Sequence, residues 1–235
     1  MKKYIFDVDG TLTPSRGKMN TEFQTWFKNF VDNNDVYLVT GSDYPKTIEQ
    51  VGTYICENVD YVFNCGGNDV WYNGINVYTN DWKLPEEAHE WLSKALTESA
   101  FSLRTGLHFE HRPGMVNFSI VGRNANAEQR KMYVDYDTSI NERNKIAESF
   151  NYLFSELEAR PGGETGIDIS AKGNNKSQIL KEFAPEYELH FFGDRMDKKG
   201  NDYPLASKIL DNDLGFCYNV RNWEATWSIL KQLSE

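Results

Sequence analysis

Cysteine is scarce in this chain: Cys56, Cys65 and Cys217 are all there is, widely spaced and without a C-x-x-C pair. An odd count at such spacings offers neither a disulfide framework nor a zinc site, and a reducing, cytoplasmic setting is expected. Basic residues are short as well, 25 Lys and Arg against 35 Asp and Glu, for a formal charge of −10. Nucleic acid and anionic membrane surfaces both reward a basic face, so neither is an expected partner. No apolar run approaches the ~18 residues of a membrane span, and a strand is expected from residue 4 with no apolar leader before it. Repeats and low-complexity tracts are missing too. What is present is an ordinary globular composition, 40% hydrophobic over 235 residues, enough for one large domain or a domain with a second inserted in it.

The apolar run Tyr4-Ile5-Phe6 leads directly into D-V-D-G-T-L-T, Asp7 to Thr13. Strand alternation points the Asp7 and Asp9 side chains the same way, and Gly10 allows the sharp turn that lifts them out of a sheet. Two carboxylates at a strand end suit metal-assisted phosphoryl transfer. Asp7 would attack phosphorus and form an aspartyl-phosphate, while Asp9 would act as general acid and then as general base. A solvated Asp-Gly turn after an edge strand is the other reading of these residues.

Downstream, Thr21-x-x-Gln24 reads as a capping box, followed by Phe23, Trp26, Phe27, Phe30 and Val31 at helical spacing. A buried strand over 36–39 ends in Thr40-Gly41-Ser42-Asp43, a helix begins near Tyr44 or Pro45, and a third strand over 61–63 is closed by Cys65-Gly66-Gly67. This β-α-β-α-β rhythm predicts a parallel sheet, whose ligands gather at the strand C-termini. The middle differs. Residues 107–110 and 116–120 suggest an antiparallel hairpin around Arg112-Pro113-Gly114. Helices follow over about 127–136 and 141–157, the second stopped by Pro161-Gly162-Gly163, and then a strand over 167–169. The first rhythm resumes with a helix over 176–183, strands over 189–192 and 216–218, and a last helix carrying Trp223, Thr226, Ile229 and Leu230. The expected fold is α/β: a parallel-sheet, Rossmann-like core over residues 1–80 and 174–235, with an inserted α+β cap bearing an antiparallel sheet over 81–173.

Further polar groups fall where such a core would collect them: Thr40, Lys176 and the Gly193-Asp194…Asn201-Asp202 cluster. Magnesium prefers hard oxygens, so Asp7, Asp9 through its backbone carbonyl, and Asp194 make a ligand set. Asn201 and Asp202 either support those ligands or cap the next helix. Thr40 can donate to a phosphoryl oxygen, and Lys176 can neutralise the charge shared by phosphate and Asp7. Asp197, Lys198 and Lys199 read as a solvated turn.

The D-V-D-G-T-L-T element, the V-T-G-S-D strand end, Lys176 and F-F-G-D…G-N-D resemble the four motifs of the haloacid dehalogenase-like phosphotransferases. More narrowly, the chain resembles the eukaryotic-type phosphomannomutases from end to end. Their D-V-D-G-T-L-T-P-x-R pattern ends here on Arg16, and R-x-G-M-x-N-x-S-x-x-G-R matches Arg112 to Arg123, with Arg130 seven residues on. The resemblance implies that Arg112, Arg123 and Arg130, with Arg16 nearby, bind the phosphate remote from the reacting one. Asp168 falls in the family's S-x-D stretch, which contacts sugar hydroxyls or phosphate; Gly166 stands at its Ser position. It also implies a magnesium-dependent interconversion of mannose 6-phosphate and mannose 1-phosphate, primed by a hexose 1,6-bisphosphate, in a homodimer formed through the cap. A sugar-phosphate phosphatase built on the same core is the close alternative, and a catalytically idle sugar-phosphate binder the remote one.

Overall fold

The computed structural model describes residues 1–233, so the last two positions of the segment 174–235 lie outside the described residues. The chain runs β1 (Lys2–Phe6), α1 (Thr21–Asn33), β2 (Val36–Val39), α2 (Tyr44–Val51), α3 (Thr53–Asn58), β3 (Tyr61–Asn64), β4 (Asp69–Tyr72), β5 (Ile75–Thr79) and α4 (Glu86–Glu98). It continues through β6 (Phe109–Arg112), β7 (Met115–Phe118), α5 (Ala127–Ile140), α6 (Glu142–Leu153), β8 (Leu157–Gly162), β9 (Gly166–Ala171), β10 (Glu188–Gly193), α7 (Tyr203–Asp211), β11 (Gly215–Asn219) and α8 (Trp223–Leu233). Two compact units result: Met1–Asn80 with the chain from Asn174 onward, and Asp81–Gly173.

The first unit holds a seven-stranded sheet of order β11-β10-β1-β2-β3-β4-β5, parallel from β11 to β3 and antiparallel at β4 and β5. Its central strands are apolar on both faces because both faces are covered. Phe6, Leu38 and Phe192 pack with Phe23, Phe27 and Leu230, while Ile5, Val39, Phe63 and Phe191 pack with Leu205 and Ile209 on the opposite side. Asn20, one residue before the expected box, is the N-cap of α1: its side chain accepts from the amides of Glu22 and Phe23. Gln24 is thereby released to donate to the Val51 carbonyl. The chain over 176–182 is a 3-10 helix, not an α-helix, opened by Asn175 accepting from Ser177 N.

The second unit is an antiparallel sheet of order β6-β7-β9-β8. One face, with Phe118, Ile167, Ile169 and Ala159, is buried with Ala88 and Leu92 of α4, Tyr133 of α5 and Phe150 of α6. Strand alternation turns the other set outward, and register places Glu110, Asn117, Asp168 and Arg160 directly opposite one another across all four strands. The expected helix over 141–157 is shorter. It ends at Leu153, where Phe154 leaves helical geometry (φ −116, ψ 80), and Leu157 opens β8, which also contains Pro161 and Gly162. The apolar spacing ran on because helix and strand face one core. α5 extends past Tyr136 to Ile140, and the hairpin turn tightens to Pro113-Gly114, since Arg112 already pairs with Met115. Among the described residues, no helix is long and apolar enough to cross a membrane.

Candidate active site

β1 and β10 are adjacent parallel strands, so their C-terminal ends deliver Asp7 and Asp194 together. Asp7 is 3% exposed, its amide bonded to Phe192 O at 2.9 Å and one carboxylate oxygen accepting from Thr11 Oγ1 at 3.3 Å. Lys176, equally buried, donates to the Asp7 carboxylate and, at 2.6 Å, to Asp202 Oδ1. Two glycines make room for the acids. A Cβ on Gly10 (φ 76) would collide with the Asp194 carboxylate, and one on Gly193 would press into that of Asp202 at 2.7 Å. Asp202 stands at the N-cap position of α7 yet makes no cap hydrogen bond; its carboxylate accepts from Lys176 and from Arg195 N (3.0 Å). The choice left open for Asp202 therefore falls on the charge cluster and not on capping.

Carboxylate oxygens of Asp7, Asp194 and Asp202 lie within 4.8 Å of one another. Three acids face one ammonium. Burial drives the Asp7 carboxyl well above its ordinary range; Lys176 opposes this, and the charges of Asp202 and Asp194 add to it. Asp194 is pushed up to about 6, by burial and then by the Asp202 charge. For Lys176, burial disfavours the ammonium, but Asp202 and Asp7 outweigh it and raise its pKa, so the cation persists.

Asp9 stands apart from that cluster. Its Oδ1 accepts from Arg16 N at 2.6 Å and from Gln50 Nε2 at 2.9 Å, and Ser42 Oγ lies 3.4 Å from Oδ2. Arg16 is held there with its backbone at φ 57. Thr40 follows β2, the strand beside β1, and is buried, its hydroxyl accepting from Ser42 N at 3.1 Å. Gln50 and Ser42 were not among the residues singled out from sequence. A glutamine on a helix is too common to signal a role, although V-T-G-S-D did bring Ser42 to the strand end.

In the second unit Arg112 and Arg123 share one acid, Glu110: Arg112 donates through Nε and Nη2 at 2.9 and 2.8 Å, and Arg123 forms a close ion pair. Burial favours protonation of Glu110, but Arg112 and Arg123 together hold its carboxyl below the ordinary range. Arg130 pairs with Glu164 at 2.7 Å. Asp168 Oδ1 accepts from Asn117 Nδ2 at 2.6 Å. The Asn117 amide also fills the space over Gly166, where a Cβ would collide with it. A serine at 166 requires Asn117 to move. Glu110 escaped sequence reasoning, and Asn117 entered it only as a fixed position of the R-x-G-M-x-N match; that Asn117 lies between Glu110 and Asp168 is visible only once strand pairing is known.

A model of the eukaryotic phosphomannomutases matches residues 23–235. Among curated proteins, the phosphomannomutase of Triticum aestivum is 32% identical over 209 residues, 86% of this chain and 84% of its own length. That of Saccharomyces cerevisiae is 31% identical over 240 residues, covering 97% of this chain and 92% of the yeast protein. Among solved structures, a Plasmodium falciparum IMP-nucleotidase superposes with a TM-score of 0.68 at 15% identity, over all of this chain and 68% of that one. A haloacid dehalogenase-like hydrolase from Bacteroides thetaiotaomicron gives 0.61 at 11% identity, over 99% of both chains. Identities that low speak to the fold alone, which is that of the haloacid dehalogenase-like proteins with an α+β insertion. Aligned over most of its length with one enzyme family, this chain belongs to the eukaryotic phosphomannomutases.

Proposed function

We propose that the protein is a phosphomannomutase that interconverts mannose 6-phosphate and mannose 1-phosphate through an aspartyl-phosphate on Asp7, primed by a hexose 1,6-bisphosphate. The observation that carries this reading is the cluster of buried Asp7, Lys176 and Asp202 with half-buried Asp194 in a chain of that family. Three carboxylates against one ammonium leave the acids in excess in a site of hard oxygen donors, which fits a divalent cation such as magnesium. Asp7, Asp194 and Asp202, with the Asp9 backbone carbonyl, would hold it. When bound, the ion offsets the repulsion between phosphate and carboxylate.

Asp7 attacks phosphorus, and Asp9 protonates the departing sugar oxygen, later taking a proton from the incoming one. Lys176 favours the ionised form of Asp7 against its burial and stabilises the transferring group, and Thr40 donates to a phosphoryl oxygen. Arg112, Arg123 and Arg130 bind the phosphate that is not reacting, with Arg16 and Asp168 as further substrate contacts. Guanidinium groups already arranged against carboxylates support that role, since a bidentate fork suits phosphate oxygens. A homodimer formed through residues 81–173 is part of the reading, supported by the exposed Met132 and Ile140 of α5 and Tyr152 and Leu153 of α6. A cytoplasmic location is part of it too, consistent with three free thiols, of which burial pushes Cys56 and Cys217 up to about 12.

The test is incubation with mannose 1-phosphate, magnesium and a trace of hexose 1,6-bisphosphate, following mannose 6-phosphate and free phosphate together. Isomer without phosphate release is the expected result. Stoichiometric phosphate would make the protein a phosphatase, and inactivity across a sugar-phosphate panel a binder.

A further inference from the structure

Gln50, near the end of α2, is 2% exposed and aimed at the general acid/base. Its Nε2 lies 2.9 Å from Asp9 Oδ1, 3.2 Å from Thr13 Oγ1 and 3.5 Å from Gly17 O, while its backbone carbonyl accepts from Met19 N at 2.8 Å. Its Oε1 is buried and, among the described residues, has no hydrogen-bond partner. Burying an unpaired amide oxygen costs stability. The reversed amide would gain nothing, because it would set Oε1 against Asp9 Oδ1, acceptor on acceptor. The side chain is therefore spent on delivering N–H groups to Asp9 and Thr13.

The two Asp9 oxygens are held unequally. Oδ1 takes two short bonds, from Arg16 N and Gln50 Nε2, whereas among the described residues Oδ2 has only Ser42 Oγ at 3.4 Å. We infer that Gln50 is a positioning residue that pins Asp9 through Oδ1 and leaves Oδ2 as the oxygen that carries the proton. This deepens the mutase reading and rests on it. In transfer from the bisphosphate, an Asp7 carboxylate oxygen bonds to phosphorus and the bond from phosphorus to the sugar oxygen breaks, its electron pair going to that oxygen. The proton moves from Asp9 Oδ2 to the sugar oxygen and leaves Asp9 a carboxylate, whose Oδ1 the two donors stabilise. Fixing one oxygen also removes the carboxyl rotation that would waste encounters.

A leaving-group comparison separates this role from a structural one. A sugar alkoxide needs the proton from Asp9; p-nitrophenolate leaves without it. In single-turnover phosphorylation of Asp7, Gln50→Met should slow the reaction with hexose 1,6-bisphosphate by roughly 10- to 100-fold, a part of the about 10^2- to 10^4-fold that a positioned general acid contributes. The burst of p-nitrophenolate from p-nitrophenyl phosphate should stay within about twofold on the same reasoning. Gln50→Glu keeps the shape but sets a carboxylate against Asp9, and it should give the same split if the Met variant fails to fold. Equal losses with both donors would mean that Gln50 merely props the fold and would overturn the inference, as would an unchanged bisphosphate rate. A wild-type protein that bursts with the aryl phosphate but is never phosphorylated by the bisphosphate overturns the mutase reading instead. The same variants assayed for phosphate release from a sugar monophosphate then decide Gln50 by the same split.

Discussion

The two units hold their charges in different ways. In the first, Asp7, Asp202 and Lys176 are sealed from solvent and satisfied chiefly by one another. In the second, the arginine partners remain within reach of water: Glu110 side chain keeps 28% of its exposure and Glu164 62%. Bond making needs groups that do not reorganise during the step, and burial supplies that rigidity. Binding needs counter-charges that an incoming phosphate can displace at little cost, which partly solvated glutamates provide. Substitutions should therefore act mainly on turnover and stability in one unit and mainly on affinity in the other.

The largest effect expected is from Asp7→Asn, which removes the proposed nucleophile and should lower turnover by about 10^4-fold or more, read as loss of mannose 6-phosphate formation. Normal turnover would end the assignment. Lys176→Met comes next. It leaves buried acids without their cation and should cost about 3–5 kcal/mol in urea unfolding, with activity lost as well.

Proton linkage gives the two units opposite slopes. Without metal, Asp194 titrates at about 6 against an ordinary 3.8. The native state then holds more protons than the unfolded one between those values, and stability falls as pH rises through that window. Glu110, held low by Arg112 and Arg123, does the reverse: its contribution is present above the ordinary carboxylate pKa and is lost as pH falls below it. Hydrogen exchange on the metal-free protein should show the first unit tightening from pH 7 to 5, and the second loosening on further acidification. Magnesium at a hundred times its Kd should add about 2.7 kcal/mol at pH 8, and less as Asp194 takes up its proton. A metal effect independent of pH would remove Asp194 from the ligand set.

Arg123→Ala should raise KM roughly 10- to 100-fold, the equivalent of losing one or two charge-assisted hydrogen bonds, with kcat changed little. A change confined to kcat would erase the contrast between the units. Smallest is Gly166→Ser, where the collision with Asn117 should cost about 1–3 kcal/mol in melting experiments. Asn117→Ala in the same chain should recover most of it.

The chemistry was more legible than the architecture around it. Asp7 and Asp194 follow strands flagged by short apolar runs and glycines, so their meeting follows from a parallel sheet, whereas Lys176 opens a 3-10 helix and reaches Asp7 only through the tertiary fold. Residues 69–79 were missed as strands although Asn73-Gly74, both at positive φ (48 and 71), is a strong hairpin signal. Exposed Ile75, Val77 and Tyr78 blurred the alternation there. Leu157 misled because one apolar core is lined by α6 and β8 in succession. Gln50 meets Asp9 from 41 positions away, and Glu110 joins Arg112 to Arg123 across a strand pair, which no local pattern encodes.

Strand order has a consequence for synthesis. β1 sits between β2 and β10, and β10 begins only at Glu188. At ~5–20 residues per second a ribosome needs roughly 10–40 s to supply that neighbour. Until then the strand that carries Asp7 is a sheet edge with unpaired amides, open to wrong pairings. The segment Asp81–Gly173 is contiguous, and β6 to β9 find every partner inside it. The inserted unit can thus mature on the ribosome while β1 still waits, and chaperone demand should concentrate on the nascent first 80 residues.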